Sequence, residues 1–301
     1  MRLTLRQLSI FIAVADHGST TAAAHAIALS QSAVSAALND LEALLRTPLF
    51  DRVGKRLLIN DSGRLLLPQA RQVLDAATTI EQQFGPSGAG DATGLHIGSS
   101  TTIGTYVLPQ ILANLGVQSA PGIARVMVAN SADVAQAVAN FTVDVGLIEG
   151  TCQQPELHVE PWIIDELIIV CAPSHPLVDG KTHGKVTLDR MRETGWLLRE
   201  PGSGTREAVQ NALLPHLHVL RETGEFSNSE AIKHAAAAGM GVACLPRLVV
   251  ADLIDMGKLV EIRTALPPMQ RQFYLVHRKH KLLSARLSRF MNVCRRWNVQ
   301  Q

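Results

Sequence analysis

The 301-residue chain has almost no net charge, no paired cysteines and no long apolar run. Each absence excludes something. Twenty-eight Lys and Arg against 26 Asp and Glu leave a formal charge of +2, so the molecule is no polycation. Any grip on nucleic acid must come from local clusters of charge. The four cysteines, Cys152, Cys171, Cys244 and Cys294, stand far apart without a CxxC. That argues against a zinc site or a disulfide framework and fits a reducing cytosol. No apolar stretch approaches the ~18 residues of a membrane span. The opening MRLTLRQLSIFIAVADHG lacks an uninterrupted apolar core followed by a small-residue cleavage site, so it does not read as a signal peptide. A cytoplasmic location without a membrane partner is expected.

Signatures of catalysis are missing too. PGSGTR, from Pro201 to Arg206, has the wrong outer residues for a G-x-S-x-G elbow, no Lys for a P-loop and no third Gly for a dinucleotide fingerprint. The eleven histidines include His216-Leu217-His218 but no HExxH. No catalytic residue, cofactor or metal ligand is expected.

One further absence is informative. SQSAVSAALNDLEALL, from Ser30 to Leu45, has an apolar stripe of Val34, Leu38, Leu41 and Leu45 at helical spacing. Its other side carries Ser32, Ala36, Asn39 and Ala43 with Ser35 at the edge, almost without charge. Small side chains let a helix come close to another surface, and Ser, Asn and Ala suit the edges of bases in a major groove. Before it, Leu5, Leu8, Ile12 and Ala15 form a first stripe with Phe11 on its flank, Gly18 and Ser19 supply a stop and a cap, and a short Ala-rich helix runs from about Thr20 to Ala28. Two short helices joined by a tight turn, the second with a bare polar face, describe a helix-turn-helix. After Thr47-Pro48, the run Phe50 to Ile59 reads as a hairpin turning at Gly54-Lys55, with Arg52, Lys55 and Arg56 at its tip: a wing placed to grip phosphates.

LRQLSIFIAVADHGSTTAAAHAIALSQSAVSAALNDLEALLRTPLFDR resembles the N-terminal domain of the LysR-type transcriptional regulators, most specifically from Ser30 to Leu41 and at Pro48-Leu49-Phe50-Asp51-Arg52. The likeness extends over essentially the whole chain. It implies a winged helix-turn-helix (1–60), a long dimerising linker helix (61–84), a hinge (85–94) and a two-lobed α/β effector domain of periplasmic-binding-protein type (95–301). The first lobe would take about 92–161 and 268–301, the second about 162–267. Gln31, Ser32, Ser35, Asn39, Arg52, Lys55 and Arg56 are the expected contacts to double-stranded DNA. Where many similar members carry a basic residue, this chain has Ala36 or Asn39, which shifts specificity toward Ser32, Ser35, the wing or DNA shape.

The linker helix carries Leu66, Ala70, Val73, Ala77, Ile80 and Phe84 in alternating steps of four and three, a heptad seam expected to hold a homodimer, or a homotetramer built from such dimers. GPSGAGDATG, Gly85 to Gly94, is the expected linker.

Beyond it, strands alternate with helices: Leu95–Gly98, Ile123–Val128, Val143–Ile148, Leu167–Ala172, Gly195–Arg199, Val242–Leu245 and Phe273–His277, in mostly parallel sheets. Ligands in such sheets bind beyond the strands' carboxyl ends, where helix N-termini present free N–H groups. Three turns there are rich in hydroxyls or amides: Ser99-Ser100-Thr101-Thr102, Gly202-Ser203-Gly204-Thr205 and Ser227-Asn228-Ser229. In the architecture that the resemblance implies, Ser99, Ser100, Thr101, Thr102, Glu149, Ser203, Thr205 and Asn228 would line one cleft. Hydroxyl and amide donors without an obligatory cation suit a small anionic effector, whereas Glu149 favours one carrying a proton or an amine. The turn from Arg199 to Thr205 is similar to that of LysR-type members linked to sulfur or carbon assimilation, which points to a sulfur oxyanion or small carboxylate. An enzyme or solute-binding protein could use the same two-lobed fold; the helix-turn-helix argues for the regulator.

Overall fold

A computed structural model describes residues 3–54, 56–84, 94–116, 124–178 and 185–297. The chain divides into two compact units, one built on the segment up to Ala92 and one on nearly everything from Thr93 onward.

In the first unit, helix α1 (Leu5–His17) starts in a capping box formed by Thr4 and Gln7 and ends at Gly18 in the left-handed region. Ser19 caps α2 (Thr20–Ala26), and Ser30 caps α3 (Gln31–Leu45). Each cap satisfies backbone donors that a helix start leaves open. The buried face of α1 differs from the expected stripe. Leu8, Ile10, Phe11, Ala13 and Val14 are buried while Leu5 is exposed, because α1 is central in this unit and is covered by α2, α3 and α4. Phe11 meets Phe50 with ring centroids 5.5 Å apart. Val34, Leu38 and Leu41 of α3 are buried as expected, but Leu45 lies in the last turn, outside the core, and is exposed. Strands β1 (Phe50–Val53) and β2 (Arg56–Ile59) pair antiparallel about Gly54, which takes a positive φ of 61°. Lys55 lies outside the described residues.

Helix α4 (Asp61–Phe84) accommodates Pro68 in its second turn. Gly63 is obligatory for its approach: an added Cβ would collide with the Leu49 carbonyl and Ile59. The expected seam needs correction at its start. Ala70 is buried in the helix-turn-helix core, so it is not offered to a partner, and Leu66 packs partly against that core. Val73 and Ile80 remain 43% and 54% exposed, joined by Leu65 at 72%. The expected hinge, 85–94, lies outside the described residues except for Gly94, as does the side chain of Phe84.

The second unit is built on one nine-stranded mixed sheet. In chain order it runs through β3 (His96–Ser100), a π-turn at Ile103–Val107, α5 (Leu108–Gly116), β4 (Arg125–Ala129), α6 (Ser131–Ala139), β5 (Val145–Glu149), β6 (Leu157–Cys171), α7 (Leu188–Glu193), β7 (Gly195–Arg199) and α8 (Gly204–Leu217). It continues through β8 (Arg221–Phe226), α9 (Ser229–Ala237), β9 (Val242–Pro246), α10 (Arg247–Asp255), β10 (Val260–Glu261), β11 (Met269–Arg278) and α11 (Ala285–Arg296). Strand order is β4-β3-β5-β11-β6-β9-β7-β8, with β10 beside β6. The two ends, β4-β3-β5 and β9-β7-β8, are parallel and form the two lobes.

The middle departs from the parallel expectation. β6 and β11 are long and antiparallel to each other, and they carry the chain between the lobes. Only Leu167–Cys171 at the end of β6 is continuously buried, which is the part legible as a strand. The half before it alternates exposed and buried positions around charged residues. Ile123, the expected start of another strand, lies outside the described residues. Helix α11 closes the first lobe by burying Leu287, Phe290, Met291 and Cys294.

Candidate functional site

On α3, Gln31, Ser32, Ala36 and Asn39 are exposed and Ser35 is half-buried. The Gln31 amide donates to Thr20 Oγ1 of α2 at 3.1 Å and to Ser35 Oγ at 2.9 Å, while the Ser30 and Ser32 hydroxyls lie 3.1 Å apart. The polar groups at the start of α3 are thus held in place by one another and by α2. Arg52 and Arg56 are both exposed, but the hairpin does not cluster them on one side. Arg52 pairs with Leu57 and Val53 with Arg56, so the two arginines point to opposite faces.

Between the lobes lies a buried polar centre. β3 ends at Ser100, and Thr102 follows at the π-turn; β5 ends in Glu149; α8 opens with Ser203, Gly204 and Thr205. The Glu149 carboxylate accepts from Thr102 N at 3.1 Å and from Thr205 Oγ1 at 2.8 Å, and it pairs with Arg271. Arg271, from β11, spans both lobes. Its Nη1 donates to Thr205 Oγ1 (2.8 Å), its Nη2 reaches Thr102 Oγ1 (3.4 Å), and its Nε donates to Asp165 Oδ2 of β6 (2.7 Å). Gly204 allows this approach, since a Cβ there would collide with the Glu149 carbonyl.

The electrostatics follow from burial. Burial by itself would raise the pKa of Glu149, but the Arg271 guanidinium and the donors of Ser100, Thr205 and Thr102 outweigh it and hold the carboxyl below its ordinary range. Asp165 goes the other way: burial, with the Glu149 charge nearby, raises it against the pull of Arg271. One guanidinium therefore serves two carboxylates and stabilises Glu149 more.

A second buried arginine lies close in sequence to the α8 turn. Arg199, at the end of β7, pairs with Glu200 and donates at 2.9 Å to Thr101 Oγ1 of the first lobe and at 2.9 Å to Ser229 Oγ of α9. A third tie joins Tyr106 Oη to Glu230, with Lys233 between Glu230 (2.8 Å) and Asp252 (3.1 Å). Burial and the Glu230 carboxylate push the Tyr106 phenol up to about 12.

Of the expected effector residues, Thr102, Glu149 and Thr205 meet at one point, and Thr101 turns to Arg199. Ser99 Oγ bonds the Ser100 carbonyl, and Ser203 caps α8. Ser100 is buried, and its hydroxyl acts on the Glu149 carboxylate. Asn228 stands apart: it is exposed, and its side chain caps α9 at Glu230 N (2.7 Å). The expectation of donors without a cation is corrected, because Arg271 and Arg199 supply two buried ones. In sequence, Arg271 is a lone charge beside the apolar run FYLVH, and Asp165 precedes LIIVCA; a charge abutting a buried strand is the signal that would have singled them out. A cleft of about 680 Å³ has Ser131, Gly202, Ser203, Arg206 and Glu207 on its walls, whereas Thr102, Glu149, Thr205 and Arg271 do not line it.

Among the described residues, no group of three or more His, Cys, Asp or Glu is placed to hold a metal ion, and no helix is long and apolar enough to cross a membrane.

A winged helix-turn-helix joined to a two-lobed α/β domain with a polar centre between the lobes defines a DNA-binding regulator with an effector-binding domain. The chain belongs to the LysR family of transcriptional regulators: residues 5–64 match the bacterial regulatory helix-turn-helix protein, lysR family, and residues 88–298 match the LysR substrate binding domain. It is 46% identical over 299 residues, 99% of each chain, to the uncharacterized HTH-type transcriptional regulator YeiE of Escherichia coli (strain K12). Among solved structures, a full-length OxyR variant of Pseudomonas aeruginosa has the same fold, with a TM-score of 0.76 at 20% identity over 98% of this chain and 94% of that one. The Synechocystis CcmR regulatory domain in complex with 2-PG matches 66% of this chain and 94% of that one, with a TM-score of 0.58 at 25% identity.

Proposed function

We propose that this regulator reads duplex DNA in the cytoplasm as a homodimer or homotetramer, and that a small anionic effector, a sulfur oxyanion or a small carboxylate, switches it by binding between the lobes at Ser100, Thr102, Thr205 and Arg271. One observation carries the effector reading: the hydroxyls of Thr102 and Thr205 and the Arg271 guanidinium converge in one buried centre between the lobes. Hydroxyl and guanidinium donors all favour an oxygen acceptor. Arg271 offsets Glu149, so the site tolerates negative charge; Glu149, held ionised, favours an effector that brings a proton to share with it.

On the DNA side, α3 would enter the major groove with Ser32, Ser35 and Asn39 toward base edges, and Arg52, Lys55 and Arg56 would meet phosphates. Val73, Ala77 and Ile80 would carry the dimer contact. Because the ligand bonds both lobes, its affinity differs between open and closed forms, and that difference is what shifts the population of DNA-binding states.

The test selects a dyad duplex from random sequence with the full chain and measures its affinity with and without sulfate, sulfite and small carboxylates. One of these should change the affinity at least several-fold. A chain that selects no sequence would sink the regulator reading, and a selected site indifferent to every anion would sink the effector class.

A further inference from the structure

The first unit does not end with the linker helix. Two short segments from much later in the chain, Ala139–Thr142 and Leu282–Ser284, belong to it as well. The former is the turn between α6 and β5. Arg71 of α4 holds it, with a guanidinium divided between two partners. Nη1 donates to Thr142 Oγ1 at 2.6 Å and to the Asn140 carbonyl at 3.4 Å, while Nη2 donates to Asp16 Oδ1 at 2.6 Å, near the end of α1. Arg71 follows Ala70, which the helix-turn-helix core buries, so its backbone is anchored. Phe141, inside the turn, has a φ of 56°, in the left-handed region that residues with a Cβ rarely adopt. Such a conformation persists where its surroundings enforce it, and Arg71 binds the turn on both sides of Phe141.

Each end of this contact leads to a functional part. On one side is α6, whose first residues stand at the junction of the lobes. Ser131 Oγ accepts from Glu149 N at 3.1 Å, and Ala132 N donates to the Gly202 carbonyl of the second lobe at 3.2 Å. The helix buries Val134, Ala135, Ala137 and Val138. It lies close on β3 and β5 because Gly98 and Gly146 leave room there: a Cβ on either would crowd Val134, and one on Gly146 would also crowd Val138. Nine residues so seated, about 13 Å of helix, pass a displacement from one end to the other instead of absorbing it. On the other side is α1. It ends at Gly18, whose carbonyl accepts from Leu57 N of the wing strand β2 at 2.8 Å.

We infer that Arg71 is a positioning residue of the regulatory switch: it clamps the turn at the end of α6 to the end of α1, so that the state of the interlobe centre and the hold on the wing are set together. The clamp is made of side-chain bonds to a hydroxyl, a carbonyl and one half-exposed carboxylate, Asp16. Bonds of this kind are individually modest, so the clamp can open, which a fully buried ion pair resists. Coupling between two sites is reciprocal. A change at Ser131 and Gly202 therefore reaches β2 through Arg71, and duplex gripped by the wing steadies the turn by the same route.

The experiment follows amide hydrogen exchange by mass spectrometry in the full chain, with and without a duplex selected from random sequence. The parent is compared with Arg71→Gln and with Thr142→Val, which keeps the outline of an exposed side chain and removes its hydroxyl. In the parent, duplex should slow exchange in β2 and also at residues 140–143, there by about fivefold, the lower end of an ordinary coupling. Arg71→Gln should lose the slowing at 140–143 and keep it in β2, and Thr142→Val should lose most of it at the same place. Slowing of the turn by DNA to the same extent in all three proteins would overturn the inference. Faster exchange of the turn in the variants, by one factor with and without DNA, would make Arg71 a static brace and overturn it too. The inference rests on the proposal that the wing meets DNA. Bound duplex that leaves β2 of the parent unchanged would overturn that reading and this one with it, whereas a protected β2 beside an indifferent turn would overturn this one alone.

Discussion

Arg271 and Asp165 stand opposite each other on the antiparallel strands β11 and β6, Nε to Oδ2 at 2.7 Å, and the same guanidinium pairs with Glu149. These two strands carry the chain between the lobes. Removing one partner of a buried pair leaves the other charge uncompensated. Glu149→Gln should therefore destabilise the effector domain by about 3–5 kcal/mol at neutral pH, measured by urea unfolding. The sign of the pH dependence is fixed by the lowered pKa of Glu149. Its contribution is complete above the unfolded-state value of ~4.3 and is lost as pH falls through the lower folded value. The gap between parent and variant should narrow in that acid range; a gap independent of pH would contradict the ion pair.

Tyr106 ties the π-turn of the first lobe to Glu230 of the second. With its pKa raised to about 12, the phenol stays protonated throughout the physiological range. Its contribution is full below the ordinary value near 10 and is lost as pH rises through 12. Tyr106→Phe keeps the ring and removes the tie. Hydrogen exchange should quicken at the start of α9 and around the π-turn, with the cores of both lobes unchanged. Unaltered protection at both places would show that the tie does not hold the lobes.

Val73 and Ile80 are exposed apolar residues two turns apart on α4. The double variant Val73→Glu, Ile80→Glu should halve the mass seen by light scattering at dilute concentration, or bring a tetramer down to smaller species. It should leave the helix-turn-helix core intact, since that core is closed by Leu66 and Ala70 instead. A parent-like mass would move the interface elsewhere.

Ser35 is half-buried on α3 and bonded to Gln31. Ser35→Trp should abolish sequence-specific binding. Arg52→Ala should weaken binding to all sequences alike and flatten the salt slope by ~0.9. Loss of specificity from Arg52→Ala, with its salt slope intact, would reverse the roles assigned to helix and wing.

How much of this was legible in the sequence depended on locality. The caps Ser19 and Ser30, the stop at Gly18 and the hairpin at Gly54 are set by neighbours in the chain, and each was readable there. Ala70 was not: its heptad position suggests a seam, but its burial is decided by α1 folding onto α4. The first half of β6 was hidden because charged residues alternate along it. Arg271 escaped for a related reason. A lone Arg at the edge of an apolar strand reads as a surface residue until Glu149, Asp165 and Thr205, 56 to 122 positions from one another in contact, are brought to it by the fold. Thr102, Glu149 and Thr205 could be singled out because each follows or ends a strand, where ligands gather. Asn228 has the same position but spends its side chain on a cap.

The central claim is that a small anion binds between the lobes on Ser100, Thr102 and Thr205. Calorimetric titration of the full chain with sulfate, sulfite and a set of small carboxylates tests it most directly, run in parallel on Ser100→Ala, Thr102→Ala and Thr205→Ala. One anion should bind the parent at a single site per chain, and each variant should weaken it about 10- to 150-fold, the loss of one hydrogen bond to a charged group. Parent-like affinity in all three variants, or a co-purified neutral or cationic ligand in the cleft, would contradict the account.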